Sequence, residues 1–312
     1  LHLCDRRQRQ MCIRDRIGTG WLVFTLYMVL CLIIFDLFRL FNFPCKYGFY
    51  ISLFLTLSLL SYGYYNYQHP KTEVFNIVIN KQTVHNEQPL KVVSVSDVHL
   101  GYGTDKEELK QYVEMINAQQ PDLILIGGDL IDNSVVPLYE EKMMEELAEL
   151  KAPLGIYMVP GNHEYISGIR KSMQFINETP IRLLRDDVVT LPGGIQIIGR
   201  DDRSNKSRLS LQELVKNIDP AKPVILLDHQ PYNLSDTENA GIDLQFSGHT
   251  HRGQVWPVSL ITDHLFDQSY GYRKWGNSHI YVSSGLSLWG PPFRIGTDLS
   301  LIHISEPTRR TP

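Results

Sequence analysis

The chain is 312 residues long, 43% hydrophobic and 21% charged, with a formal net charge of -4. That length supports a large buried core, and the near-neutral balance gives no electrostatic reason to expect a nucleic-acid partner. Composition changes sharply along the chain, so its parts are read separately.

The two ends stand apart. Residues 6–16 (RRQRQMCIRDR) read as the translation of a transposase adapter used in sequencing libraries, and 299–309 read as the partner adapter in reverse complement. Segments 1–16 and 299–312 are therefore expected to be foreign to the gene and are set aside from fold reasoning. Met11 is then no start, and Cys4 and Cys12 leave the cysteine count. Cys31 and Cys45 remain, which is no disulfide framework.

Residues 17–35 carry no charge and are rich in Leu, Val, Ile and Phe, with Asp36 and Arg39 at their end; 47–67 is a second uncharged run. About 20 apolar residues cross roughly 30 Å of hydrocarbon, so two transmembrane helices are expected, at about 17–38 and 47–67. Tyr62, Tyr64, Tyr65 and Tyr67 suit an interfacial aromatic belt. A cleaved signal fits less well, because no small-residue cleavage site follows and a second span does. Arg39 and Lys46 flank the loop between the runs, which places that loop in the cytoplasm and the rest of the chain outside.

Residues 68–90 read as a connector, with an alternating edge strand at 74–80 and a turn at 86–89. From 91 to 298 aliphatic strands alternate with helices. Strands are expected at 92–96, 123–126, 156–159, 188–190, 195–198, 224–227, 242–246 and 279–283, and helices at 105–119, 137–150, 167–177 and 209–217. Thr104 and Glu107 have the spacing of a capping box for the first of these helices. Alternation of this kind means an α/β domain, and late strands with no helix among them suggest a second sheet closing the core.

Five strand ends carry the chemistry. They lead into Asp97-Val98-His99, Gly128-Asp129 with Asp132, Gly161-Asn162-His163-Glu164, His229, and Gly248-His249-Thr250-His251. In open α/β sheets ligands gather beyond the carboxyl ends of strands, so one edge could collect all five. Each piece alone is ordinary: a histidine after an apolar strand is more often a hydrogen-bonded loop residue, and Asp-x-His and Gly-Asp are common turn chemistry. Their conjunction supplies imidazoles, carboxylates and an amide, a set that suits borderline divalent ions better than all-oxygen calcium or magnesium shells.

Over residues 91–298 this set resembles the calcineurin-like metallophosphoesterases, and Gly253-Gln254-Val255-Trp256-Pro257 resembles a membrane-anchored bacterial branch of them. The resemblance implies two mixed β-sheets packed as a sandwich flanked by helices, preceded by transmembrane helices. It implies two divalent metal ions (manganese, iron or zinc), with Asp97, His99 and His251 on one, Asn162, His229 and His249 on the other, and Asp129 bridging. A hydroxide shared by the two ions would attack a phosphomonoester or phosphodiester. His163 would protonate the leaving group or stabilise transition-state charge, oriented by Asp132; a turn cap beside Asn133 and Ser134 is the plainer role for Asp132. The family also continues past 294–297 into a last strand, whose place the apolar 299–304 could fill. The implied partners are a phosphorylated substrate, with a lipid-linked one favoured by anchoring, and the membrane bilayer, in a bacterial cytoplasmic membrane. Two alternatives stay open: a pyrophosphatase acting on a nucleotide- or sugar-linked lipid precursor, and a non-catalytic membrane sensor that keeps the fold.

Among lesser candidates, Arg252 could meet a substrate phosphate or simply be solvated, and Glu164 could hydrogen-bond a ligand or its loop. Trp256 and Trp289 could shape a rim or pack their loops, and His264 and His279 lack partner motifs.

Overall fold

A computed structural model describes residues 2–42, 45–81 and 89–306. Two long helices come first, α1 (His2–Leu40) and α2 (Gly48–Gln68). They pack along a stripe of small residues in α2: Gly48 abuts Phe35, and the buried Thr56 hydroxyl meets Met28 Sδ at 3.9 Å. Small residues at every fourth position let two helix backbones approach closely. Outside the stripe both helices expose Trp21, Leu22, Ile34, Phe38, Phe54 and Leu57, among others.

Two spans are expected from the sequence. Among the described residues one helix, over Ile17–Leu40, is long and apolar enough to cross a bilayer. In α2 the Ser, Thr, Gly and Asn residues that face α1 and the following domain dilute its apolar character.

The rest of the chain runs β1 (Lys71–Asn76), β2 (Leu90–Val95), α3 (Lys106–Ala118), β3 (Leu123–Ile126), α4 (Val136–Glu140), α5 (Met143–Leu147), β4 (Ile156–Met158), α6 (Asn162–Ile166), α7 (Ile169–Asn177), β5 (Ile181–Leu183), β6 (Asp187–Thr190), β7 (Gln196–Gly199), α8 (Leu211–Leu214), β8 (Val224–Leu227), α9 (Leu234–Asn239), β9 (Leu244–Ser247), α10 (Val258–Leu265), β10 (Gly271–Trp275), β11 (Ser278–Val282) and β12 (Ser300–Glu306). These strands form two six-stranded mixed sheets, ordered β1-β12-β2-β3-β4-β5 and β10-β11-β9-β8-β7-β6. Strands β2 to β5 are mutually parallel, as are β7, β8, β9 and β11; β12 runs antiparallel to β2, and β6 and β10 close the second sheet antiparallel at its edges.

Alternation along each strand builds three apolar layers. Val92, Leu123, Leu125, Leu227 and Phe246 meet between the sheets. Val93, Val95, Ile124 and Ile126 face the other way, beneath α3, α5 and α7, with Leu109, Val113, Leu147 and Phe175. On the far side of the second sheet Ile198, Val224 and Leu226 are covered by Leu211 and Leu214 of α8.

Several local expectations shift. The connector strand forms earlier than 74–80, as β1 at the edge of the first sheet, and most of the 86–89 turn lies outside the described residues. Asp105, not Thr104, caps α3, accepting from the amides of Glu107 and Glu108, because the Thr104 hydroxyl is taken by Ser287 Oγ at 2.8 Å. The 137–150 helix breaks in two where Lys142 adopts φ 55°. At the chain's end β12 lies between β1 and β2 with Leu301, Ile302 and Ile304 buried.

Candidate metal centre

The residues of interest sit just past the carboxyl ends of five parallel strands, β2, β3 and β4 in one sheet and β8 and β9 in the other. Past β2 and β3 the two chains keep pairing as irregular backbone: Asp97 N donates to Gly128 O, His99 N to Asp129 O and Leu100 N to Leu130 O, at 2.8–3.0 Å. The turn is tight. Asp97, His99, Asp129, His249 and His251 all have φ between 46° and 74°. Left-handed backbone at non-glycine residues is uncommon and costs of order 1 kcal/mol each, so five cases at one strand edge mark a place where the surrounding structure dictates side-chain direction. Glycines make room: a Cβ on Gly161 would fall 2.1 Å from Asp129 Oδ1, and one on Gly248 would fall 2.3 Å from Asp97 Oδ2.

Three groups of three potential ligands result, each with its donor atoms within 4.8 Å of one another: Asp97, His99 and His251; Asp129, His229 and His249; and His99, Asp132 and His163. Asn162 joins the second group, with Oδ1 3.2 Å from His229 Nε2 and 2.9 Å from His249 Nδ1. All nine residues singled out from the sequence therefore lie together.

The second group tests directly whether a cation fits. His229 Nδ1 lies 2.8 Å from the Gly127 carbonyl and donates to it, which leaves Nε2 as an acceptor. That lone pair faces Asp129 Oδ2 at 3.1 Å and Asn162 Oδ1 at 3.2 Å. Buried acceptors turned on one another are unfavourable unless a proton or a metal cation lies among them. In the first group His99 Nε2 lies 3.1 Å from His251 Nε2, and His251 Nε2 lies 3.6 Å from Asp97 Oδ1. The donor set fits a divalent ion in each group.

The charges of these groups answer one another. Burial lowers His229, but Asp129 outweighs it and raises the imidazole well above its usual range. Burial raises Asp129, yet its histidine neighbours, His229 foremost, hold it well below the carboxylate range. Burial and the nearby His229 push His249 down to about 4; burial and His99 hold His251 well below its usual range. Neutral imidazoles and an ionised carboxylate are the forms that bind metal; His249, His251 and Asp129 stand in them, whereas His229 holds a proton against Asp129 that a bound ion would displace.

Asp132 Oδ1 lies 3.2 Å from His163 Nδ1 and 3.5 Å from His99 Nδ1. Burial raises the Asp132 carboxyl, but these two histidines bring it down to about 2. His163 is lowered by burial and raised, on balance, by Asp132 and Asp129. The other Asp132 oxygen, Oδ2, accepts from the side-chain amide of Asn133 at 2.7 Å.

Two buried charges brace these loops. Glu164, fully buried, accepts from the amides of Asp129, Ile131 and Gly161 at 3.0, 2.9 and 2.7 Å. Burial and the Asp129 charge push its carboxyl up to about 7 despite those donors. The other brace is invisible in the sequence. Arg294, also fully buried, donates to the carbonyls of His251, Ser284 and Ser287 at 2.8, 2.6 and 3.0 Å, and its Nη2 lies 3.2 Å from His251 Nδ1.

The lesser candidates divide. Arg252 lies over the Tyr270 ring at 4.6 Å. Trp289 has its ring centroid 6.3 Å from His163, and Phe266, which drew no notice in the sequence, lies 6.0 Å from His249. His279 stacks on Tyr272, and His264 is exposed.

Known proteins share these features. The family model described as calcineurin-like phosphoesterase matches residues 90–253. A protein named as an uncharacterized metallophosphoesterase from Helicobacter pylori strain J99 is 35% identical over 254 residues, 79% of this chain and 66% of the relative. One of the same name from Aquifex aeolicus is 31% identical over 236 residues, 72% of this chain and 89% of the relative. A zebrafish (Danio rerio) protein named as a transmembrane protein with metallophosphoesterase domain is 27% identical over 270 residues, 81% of this chain and 61% of the relative. The chain thus spans about two thirds of the length of the Helicobacter relative. With the matched segment containing the candidate ligand loops of both sheets through His251, the chain belongs to the calcineurin-like phosphoesterase family.

Proposed function

We propose that the chain is a membrane-anchored, metal-dependent phosphoesterase that hydrolyses a phosphomonoester or phosphodiester. The observation that carries the reading is the convergence of buried acceptors in two adjoining groups at one sheet edge. Asp97, His99 and His251 would hold one divalent ion, Asn162, His229 and His249 another, with Asp129 between them. Ions so bound acidify water and neutralise phosphoryl oxygens.

The protein's own part is placement and proton handling. Left-handed backbone and the Glu164 and Arg294 braces fix the ligand loops in advance. Asp132 favours the protonated form of His163, which delivers its proton to the leaving oxygen. His163→Ala should therefore slow esters with poor leaving groups far more than activated aryl esters, and equal slowing of both would remove this role.

Anchoring rests on the apolar Ile17–Leu40 segment, the exposed faces of α1 and α2, and the transmembrane naming of the zebrafish relative. Arg39 and Lys46 at the connecting loop favour a cytoplasmic loop, with the α/β domain on the other side. Cys45, exposed and free in that loop, reports the orientation: an impermeant maleimide should label it only from the cytoplasmic face.

The deciding assay offers phosphomonoesters, phosphodiesters and pyrophosphates to the full chain with manganese, zinc or chelator. Metal-dependent turnover is expected; none on any substrate, with metal bound, would favour the sensor.

A further inference from the structure

The segment that follows the last ligands ends in an uncovered apolar helix. Immediately after His251, residues 252–257 turn into α10, whose outward face carries Leu260, Ile261 and Leu265, each about 60% exposed, beside Trp256 at 49%. Asp263 and His264 share that exposed side. The start of the helix is fastened to the two long helices. Val255, Val258, Phe293 and Ile295 pack with Val23, Tyr27, Leu59 and Leu60. The Tyr27 hydroxyl donates to Trp256 O, and Arg294 N donates to Gly63 O at 2.9 Å.

Depth follows from helix geometry. Tyr27 lies ten residues into the apolar Ile17–Leu40 segment, or about 15 Å along the axis at 1.5 Å per residue. If α1 spans a bilayer, the loop touching Tyr27 lies within reach of the lipid, and the helix leaving that loop meets the same layer with its apolar face. A short helix with an apolar outer face, a Trp at its entrance and a few polar groups on its flank suits that layer.

The same contacts reach the candidate metal centre from two sides. At the far end of α10, Phe266 faces His249. On the other side Tyr67, in the last turn of α2, lines a cavity of about 50 Å³ with His99, Asp132, Thr104 and Ser287. Elements of the membrane region thus border both ligand groups.

We propose that α10 and Trp256 form an interfacial foot seated in the bilayer beside α1 and α2, turning the mouth of the site to a phosphoester carried by a membrane lipid. This deepens the phosphoesterase reading and rests on it. The reaction is hydrolysis: water oxygen ends on phosphorus, the P–O bond to the lipid or its headgroup breaks, and the departing oxygen takes a proton. The foot keeps the substrate's acyl chains in the membrane while its phosphoester reaches the site.

The test uses the full chain in phosphatidylcholine vesicles with manganese. Its substrates are phosphatidic acid and phosphatidylglycerol in the vesicle and p-nitrophenyl phosphate and its bis-ester in solution. The triple variant L260S/I261S/L265S should cleave the soluble esters at rates within about twofold of the parent, since surface changes rarely matter. It should lose about tenfold or more on the vesicle lipid at low surface density, as its interfacial contact is removed. Quenching by headgroup-brominated lipid should include a component that disappears in W256F. Equal lipid hydrolysis by parent and variant, absence of that quenching component, or a parent that cleaves soluble esters alone would each overturn the proposal. A parent that binds metal yet cleaves neither kind of ester overturns the phosphoesterase reading and the lipid substrate with it, while the quenching still decides whether the foot is in the membrane.

Discussion

The two sheets bring unequal halves to the candidate site. The first contributes the carboxylates Asp97, Asp129 and Asp132, the amide of Asn162 and the imidazoles of His99 and His163, and its loops are braced by a buried acid, Glu164, that gathers backbone N–H groups. The second contributes His229, His249 and His251, and its loops are braced by a buried base, Arg294, that gathers backbone carbonyls. Each brace satisfies the kind of main-chain group that irregular turns leave over, and the cost of an unmet buried polar group explains why such isolated charges are kept inside. The halves also differ in what lies behind them. Glu164 is embedded in the α/β core, whereas the segment carrying Arg294 leans on Gly63 of α2. Both halves touch the two long helices, the second through Arg294 at Gly63 and the first through Tyr67 beside His99 and Asp132.

Removing the link between the halves should have the largest effect. Asp129→Ala takes away a carboxylate whose oxygens face His229 and the His163 amide. Metal analysis should show depleted protein, and turnover should fall by about a thousandfold or more, since metal charge supplies several kcal/mol in such reactions. Retained metal and activity would remove Asp129 from the centre.

Arg294→Met comes next. It keeps the bulk but strands three carbonyls, so thermal unfolding should show a loss of about 3–4 kcal/mol. Metal affinity should fall by roughly 10- to 100-fold, as for other groups that orient ligands. A variant that loses stability while binding metal as before would make Arg294 a purely structural brace.

Glu164→Gln should act more gently on the other half, because the amide oxygen still accepts while its NH₂ confronts a backbone donor. A loss of about 2 kcal/mol is expected, with weaker metal binding in titration calorimetry. If it proves costlier than Arg294→Met, the two braces are ranked wrongly.

The smallest effect is expected outside both halves. Asp201 accepts from Arg185, Tyr165 and Asn205. Burial raises its carboxyl, but those donors hold it below the ordinary value. A depressed folded pKa means stability that is fully present above the unfolded value and lost as pH falls through the folded one. Asp201→Asn should therefore cost about 1 kcal/mol near neutrality, a gap that closes below about pH 4. Turnover should not change; a loss of metal would show that this network reaches the site.

Strand ends were legible in the sequence where aliphatic runs meet glycine or aspartate, as at Leu123–Ile126 and Val224–Leu227, because burial on both faces admits little else. The candidate ligands stood out for the same reason: polar groups at the ends of buried strands have few ordinary uses. Other features depend on distant partners. The choice of Asp105 over Thr104 as cap is settled by Ser287, far along the chain. The break at Lys142 and the three-residue β5 carry no periodic signal, and the exposed pattern of β10 conceals a strand. Arg294 gives no clue in Gly-Pro-Pro-Phe-Arg, since its meaning lies in carbonyls it meets only after folding.

Gly161 and Gly248 offer no chemistry, yet each presses its α-carbon so close to a carboxylate that even a methyl group would displace Asp129 or Asp97. Selection on the reaction therefore also constrains two residues that take no part in it. A side chain at either position would also strike its surroundings, the Asp129 amide at Gly161 and Ser96 at Gly248, so the same two glycines hold the turn and the site together.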